Sequence, residues 1–249
     1  MLPIPTRLYL EYARFLRRYH RFSVEGIERL LEPGAKLVVA YHGRGLPMDL
    51  AILSLCIFEQ RGYLPRAITH EAMYKLRFAK AFFNLWGGLP GDGPEIAEAV
   101  ERGETVFLAP GGTREALRTF RERYTVDWGK RRGYLKLALK YKLPIVPVAS
   151  SGVDDRFIGL NNGHAWGRKL KMPGGAPFWI GLGLGGVFPF ALPLPSKIHT
   201  VVGEPIDLRT ALGAEPTEPE HFEELHALTT GKVQELLDRA RSREADPAK

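Results

Sequence analysis

A chain of 249 residues with 45% hydrophobic and 25% charged residues holds enough apolar material for one large α/β core, and the balance excludes a disordered or fibrous protein. The net charge of +7 points to an anionic partner, whether a membrane surface, a phosphorylated substrate or nucleic acid. The single cysteine, Cys56, excludes an internal disulfide, fits a reducing compartment, and reads as a small core residue within the apolar run 50–58.

Residues 6–22 read as a basic amphipathic helix. Leu8, Tyr12, Phe15, Leu16 and Tyr19 recur at helical spacing, and Arg7, Arg14, Arg17, Arg18 and Arg21 crowd the remainder. Two roles fit such a helix: packing on the domain with a solvated charged face, or lying in a membrane interface with its arginines on anionic headgroups. After a turn at Pro33-Gly34, residues 36–41 form the first expected buried strand. Residues 47–60 form a helix apolar nearly all round and hence deeply buried.

A short strand over 64–69, a helix over 70–83 and a strand over 85–92 follow. Next come a helix over 94–102 with Pro94 at its first position and a strand over 105–109 that runs into Pro110-Gly111-Gly112. A helix over 130–142, strands over 144–149 and 197–202, and a long charged helix over 218–241 complete the chain. Strands alternating with helices predict an α/β fold, with a mostly parallel central sheet covered by helices on both faces. With no internal repeat or linker, the economical division is an N-terminal helix, 1–23, and a single α/β domain, 24–249.

The uncharged stretch 176–195 contains Gly181, Gly183, Gly185, Gly186, Pro189, Pro193 and Pro195, too many breakers for a lipid-exposed helix. The alternatives for it are a buried loop between strands, the lining or cap of a tunnel, or a surface pressed into a membrane. No other segment approaches the roughly 20 apolar residues of a spanning helix, and Met1 to Arg18 lacks a signal-peptide run. The expectation is a soluble or peripheral protein.

In an open α/β sheet, ligands sit at the carboxyl ends of the strands. His42 follows the first expected strand directly, glycines Gly43 and Gly45 loosen the chain behind it, and Asp49 opens the next helix. A histidine so delivered, with a carboxylate close by, is the pattern of a general base. Pro110-Gly111-Gly112-Thr113-Arg114-Glu115-Ala116 combines bare backbone amides with Thr113 and Arg114, which suits a phosphate or a developing oxyanion. The third strand end is 144–152, a buried strand passing into Ser150-Ser151-Gly152. Each also has a structural reading: a packed histidine, an aspartate favouring a helix N-terminus, a plain turn, an arginine paired with a surface acid.

Taken together, these segments resemble the glycerolipid and lysophospholipid acyltransferases of the 1-acylglycerol-3-phosphate acyltransferase type. His42 and Asp49 stand for that family's His-then-Asp motif, and Phe107 to Arg114 for its Phe-Pro-Glu-Gly-Thr-Arg motif. Pro144 to Val148 stands for its Val-Pro-Val strand, and Gly203-Glu204-Pro205-Ile206 for an element near its last strand. The usual four residues between histidine and aspartate are six here, and Gly111 stands where the second motif has its glutamate. The family's glycerol-phosphate arginine has no clear counterpart in 87–92. His-Gly-x-x-Pro-x-Asp and Pro-Gly-Gly-x-Arg-Glu-Ala look more like the branch related to diacylglycerol acyltransferases.

The resemblance implies fatty acyl transfer from acyl-CoA or acyl-ACP, as co-substrate, to a hydroxyl of a lysophospholipid or other glycerolipid. His42 would be the general base and Asp49 its partner, while Gly111, Gly112, Thr113 and Arg114 would bind the oxyanion or the donor's phosphates. No cofactor or metal is required, and peripheral contact on the inner, cytoplasmic face of a membrane is expected. On a straight helix a seven-residue offset spans about 10 Å, so either the glycines fold the loop back or Asp49 is not the partner. The competing class is a non-catalytic peripheral lipid-binding protein. Dispersed charge disfavours nucleic acid, and the absence of Gly-x-Ser-x-Gly disfavours a hydrolase.

Overall fold

A computed structural model describes residues 2–69, 88–90, 93–172, 176–212 and 219–245. The expected helix over 70–83, most of the strand over 85–92 and the residues Gly87 and Asp92 lie outside the described residues. The chain begins with α1 (Ile4–Tyr19), β1 (Ser23–Glu25), α2 (Glu28–Leu31), β2 (Lys36–Ala40), α3 (Met48–Arg61), β3 (Arg66–Thr69) and β4 (Gly88–Pro90). It continues with α4 (Pro94–Glu101), β5 (Thr105–Leu108), α5 (Thr113–Ala116), α6 (Gly133–Lys140), β6 (Ile145–Ser151), β7 (Ile158–Gly159) and α7 (Gly163–Lys169). The last elements are β8 (Gly181–Gly183), β9 (Gly186–Val187), β10 (His199–Val202), α8 (Leu208–Leu212) and α9 (Pro219–Ala245).

Seven strands form the main sheet in the order β1-β10-β6-β2-β5-β3-β4. All neighbours are parallel except β10 and β6, which run antiparallel with Thr200 opposite Ser150. β2 is buried at every position because both faces are covered. Leu37, Val39 and Tyr41 pack with Ile96, Leu135, Ala138, Val233 and Leu237 on one side. Val38 and Ala40 pack with Leu50, Leu53 and Ile57 of α3 on the other. The apolar circumference of α3 follows from its position: Tyr9, Leu10 and Ala13 of α1 cover Ala51 and Leu55 on its outer side.

Three features depart from the sequence reading. β1 precedes the strand expected to be first; Ser-Val-Glu is half-buried and too short and polar to announce itself. Helix α1 buries Tyr9, Leu10, Ala13 and Leu16, so Leu8 and Phe15, counted with Leu16 in one apolar stripe, face outward. The stretch 176–195 is not a buried loop. It contributes β8 and β9 to a separate antiparallel sheet with β7, and leaves Phe190 96% and Leu192 65% exposed.

Candidate active site

β2 lies between β5 and β6, so the chain leaving Ala40 is flanked by the loops that leave Leu108 and Ser151. The glycines of the histidine loop are there for fit. A Cβ on Gly43 would come 2.4 Å from Val153 Cβ. Gly45 adopts φ +74° and donates its N–H to Ala116 O at 2.9 Å.

His42 Nδ1 lies 2.8 Å from Gly43 O. A carbonyl only accepts, so Nδ1 carries the proton and the lone pair resides on Nε2. Burial holds the imidazole below its ordinary pKa, opposed by the Gly43 bond and the charge of Asp49. A neutral ring with its lone pair on Nε2 is the form a general base needs.

Asp49 is 2% exposed in the first turn of α3. Ser150 Oγ donates to its Oδ2 at 2.9 Å and lies 2.8 Å from Thr200 Oγ1. Oδ1 is buried without a hydrogen-bond partner among the described residues. The ring's tautomer is therefore held by Gly43, and Asp49 acts on His42 by its charge while β6 and β10 fix its position. Arg156, fully buried, adds a cation beside Asp49 and donates from Nη2 to Arg44 O at 2.9 Å. Asp154 latches the same loop, accepting from Arg44 N–H at 3.1 Å and from Tyr41 OH and Tyr124 N–H at 2.6 Å.

On the β5 side, Gly111 and Gly112 turn the chain into α5. Gly112 has φ +45° and spends its N–H on Ala109 O at 3.1 Å, so that amide is committed to the turn. Arg114 Nη2 donates to both oxygens of Asp127 at 2.8 Å, and both side chains are about half exposed. Thr113 Oγ1 meets His164 Nε2 at 3.1 Å. Glu115, fully buried, ties the two loops together: Oε2 accepts from His42 N–H at 2.9 Å and Oε1 from Asp127 N–H at 2.8 Å. Arg118 Nη2 stands 3.4 Å from Oε1. Desolvation nevertheless raises the Glu115 pKa to about 7.

Sequence reasoning placed the two loops but not the residues that join them. Glu115 stood inside the quoted motif with no role assigned. Arg44, Asp154 and Arg156 gave one usable signal, charged residues next to an apolar strand end, where burial without partners would be costly.

The crystal structure of the 1-acyl-sn-glycerophosphate (LPA) acyltransferase PlsC from Thermotoga maritima superposes with a TM-score of 0.53 at 18% identity, covering 93% of this chain and 79% of that one. At that identity the likeness shows the fold alone. The chain belongs to the diacylglycerol acyltransferase family, whose sequence pattern matches residues 28–247. Its relatives include the human protein named "DGAT1/2-independent enzyme synthesizing storage lipids", 29% identical over 224 residues, 89% of this chain and 62% of that protein. The mouse counterpart is 29% identical over the same share of this chain and 61% of its own. The uncharacterized protein Rv0502 of Mycobacterium tuberculosis is 28% identical over 214 residues, 77% of this chain and 54% of that one. The chain thus spans about three fifths of the length of its mammalian relatives.

Proposed function

We propose that this protein transfers a fatty acyl group from an acyl thioester to a hydroxyl of a glycerolipid, with His42 as general base. The observation that carries this reading is the Nδ1 proton of His42 on Gly43 O, which leaves the Nε2 lone pair for the acceptor hydroxyl. In the reaction Nε2 takes the hydroxyl proton as the oxygen attacks the thioester carbonyl. The C–S bond breaks, the ester C–O bond forms, and the proton passes to the departing thiolate. The Asp49 charge stabilises the imidazolium formed midway. Gly111, Thr113 and Arg114 form the anion-binding side, for the oxyanion or for phosphates of a CoA or acyl carrier protein donor, the Gly112 amide being committed to its turn.

Family membership favours diacylglycerol over a phosphate-bearing acceptor. Purified protein is to be incubated with acyl-CoA or acyl carrier protein donors and a panel of lysophosphatidate, monoacylglycerol and diacylglycerol. Transfer to a neutral glycerolipid supports the reading. Transfer only to lysophosphatidate overturns the acceptor assignment, and no transfer to any favours a lipid-binding protein without catalysis.

No helix among the described residues is long and apolar enough to cross a membrane, and the proposed contact is peripheral. On α1 the exposed Ile4, Leu8 and Phe15 recur at intervals that place them on one face, opposite the buried one, beside the exposed Arg7 and Arg18. Apolar side chains flanked by arginines on a protein of net charge +7 match an anionic bilayer surface. The end of the same helix joins the second exposed apolar segment, with Tyr19 OH donating to Pro193 O at 2.7 Å.

A further inference from the structure

We propose that Glu115 is a positioning residue whose carboxylate fills the side-chain space of residue 111 and sets the histidine loop and the arginine loop relative to one another. A Cβ built on Gly111 would lie 2.0 Å from both Cδ and Oε2 of Glu115. Gly111 is not among the positive-φ glycines, so its backbone would accept a side chain; the carboxyl arriving from α5 is what occupies the place. One carboxylate site is thus reachable from two chain positions, and this sequence fills it from position 115.

The site has a specific demand. Both oxygens accept from backbone N–H groups, His42 on one side at 2.9 Å and Asp127 on the other at 2.8 Å. Asp127 in turn holds Arg114. Moving the carboxylate therefore moves the base through its own main chain and the guanidinium through Asp127. A glutamine does not replace it, because either orientation of its amide sets an NH2 against a backbone N–H. Glu115 touches no reacting atom and acts through His42 and Arg114.

For activity the inference rests on the acyl-transfer reading; for geometry it does not. The test uses Glu115→Ala, Gly111→Glu and the double variant Gly111→Glu/Glu115→Ala, with Glu115→Gln as control. Glu115→Ala is expected to lower kcat at least tenfold with little change in KM, and Glu115→Gln to do the same. Gly111→Glu alone, forcing two carboxyls into one volume, is expected to melt well below wild type. In the double variant the carboxyl comes from position 111, and both kcat and melting temperature recover most of what the worse single variant lost. A double variant whose losses simply add overturns the inference. Should Glu115→Ala not fold, the comparison of Gly111→Glu with the double variant decides it. If wild type transfers no acyl group, the functional reading falls while the melting temperatures still judge the shared carboxylate site.

Discussion

Ser150→Ala removes the hydroxyl that donates to Asp49 Oδ2 at 2.9 Å. Because Oδ1 already has no hydrogen-bond partner among the described residues, the change leaves a carboxylate that is 2% exposed with neither oxygen bonded. A hydrogen bond to a charged group contributes roughly 1.5 to 3 kcal/mol, and leaving a buried acceptor unsatisfied costs toward the upper end. For a chain of this size each kcal/mol shifts the melting temperature by about 2 to 4 °C, so the variant should melt roughly 5 to 10 °C below wild type. Thermal unfolding by circular dichroism at pH 7.5 measures this. Repeating the change in an Asp49→Ala background isolates the pair, because with the acceptor gone the hydroxyl loses its charged partner and its removal should cost less than half as much. Equal costs in the two backgrounds would refute the claim that β6 is what holds Asp49.

The buried histidine and the buried glutamate have opposite pH signatures. His20 is fully enclosed and depressed to about 4, mainly by burial. Its contribution is present above the ordinary pKa of 6.5 and lost as pH falls toward 4; His20→Gln should remove roughly 3 kcal/mol of that pH dependence in denaturant titrations. Glu115 is raised to about 7 by burial, so its contribution is full below 4.5 and lost as pH rises to 7. Glu115→Gln should flatten that fall by about 3 kcal/mol, and an unchanged slope would show that the carboxyl is not desolvated. At the surface, Phe190→Ser/Leu192→Ser should lower co-sedimentation with anionic vesicles several-fold without altering the melting temperature, since both residues are exposed. Unaltered sedimentation would remove this segment from the contact.

Much of this architecture was legible in the sequence because burial on both faces writes a strand as an unbroken apolar run. The segments 36–41, 105–109 and 144–149 lie within a residue or two of β2, β5 and β6. Orientation was not legible: β10 is as apolar as its neighbours, and no residue type marks it as antiparallel to β6. Nor was the β7-β8-β9 sheet, whose glycine-rich strands are only two or three residues long. In α1 two apolar stripes compete, and only the packing partner α3 decides which is buried. At the candidate site, strand-end position singled out His42 and the Gly111–Arg114 turn. The hydrogen bonds of Glu115 to His42 and of Ser150 to Asp49 join residues 73 and 101 positions apart, and spacing along one chain carries no trace of such contacts.

The most direct test of the account is the His42→Ala variant assayed for acyl transfer against wild type, with folding verified by its melting curve. The ring's Nδ1 bond goes to its neighbouring carbonyl Gly43 O, so the fold should survive its removal. The account predicts a loss of roughly a hundredfold or more in kcat, as befits a missing general base, with KM little changed. A folded His42→Ala protein that transfers acyl groups at the wild-type rate would contradict it.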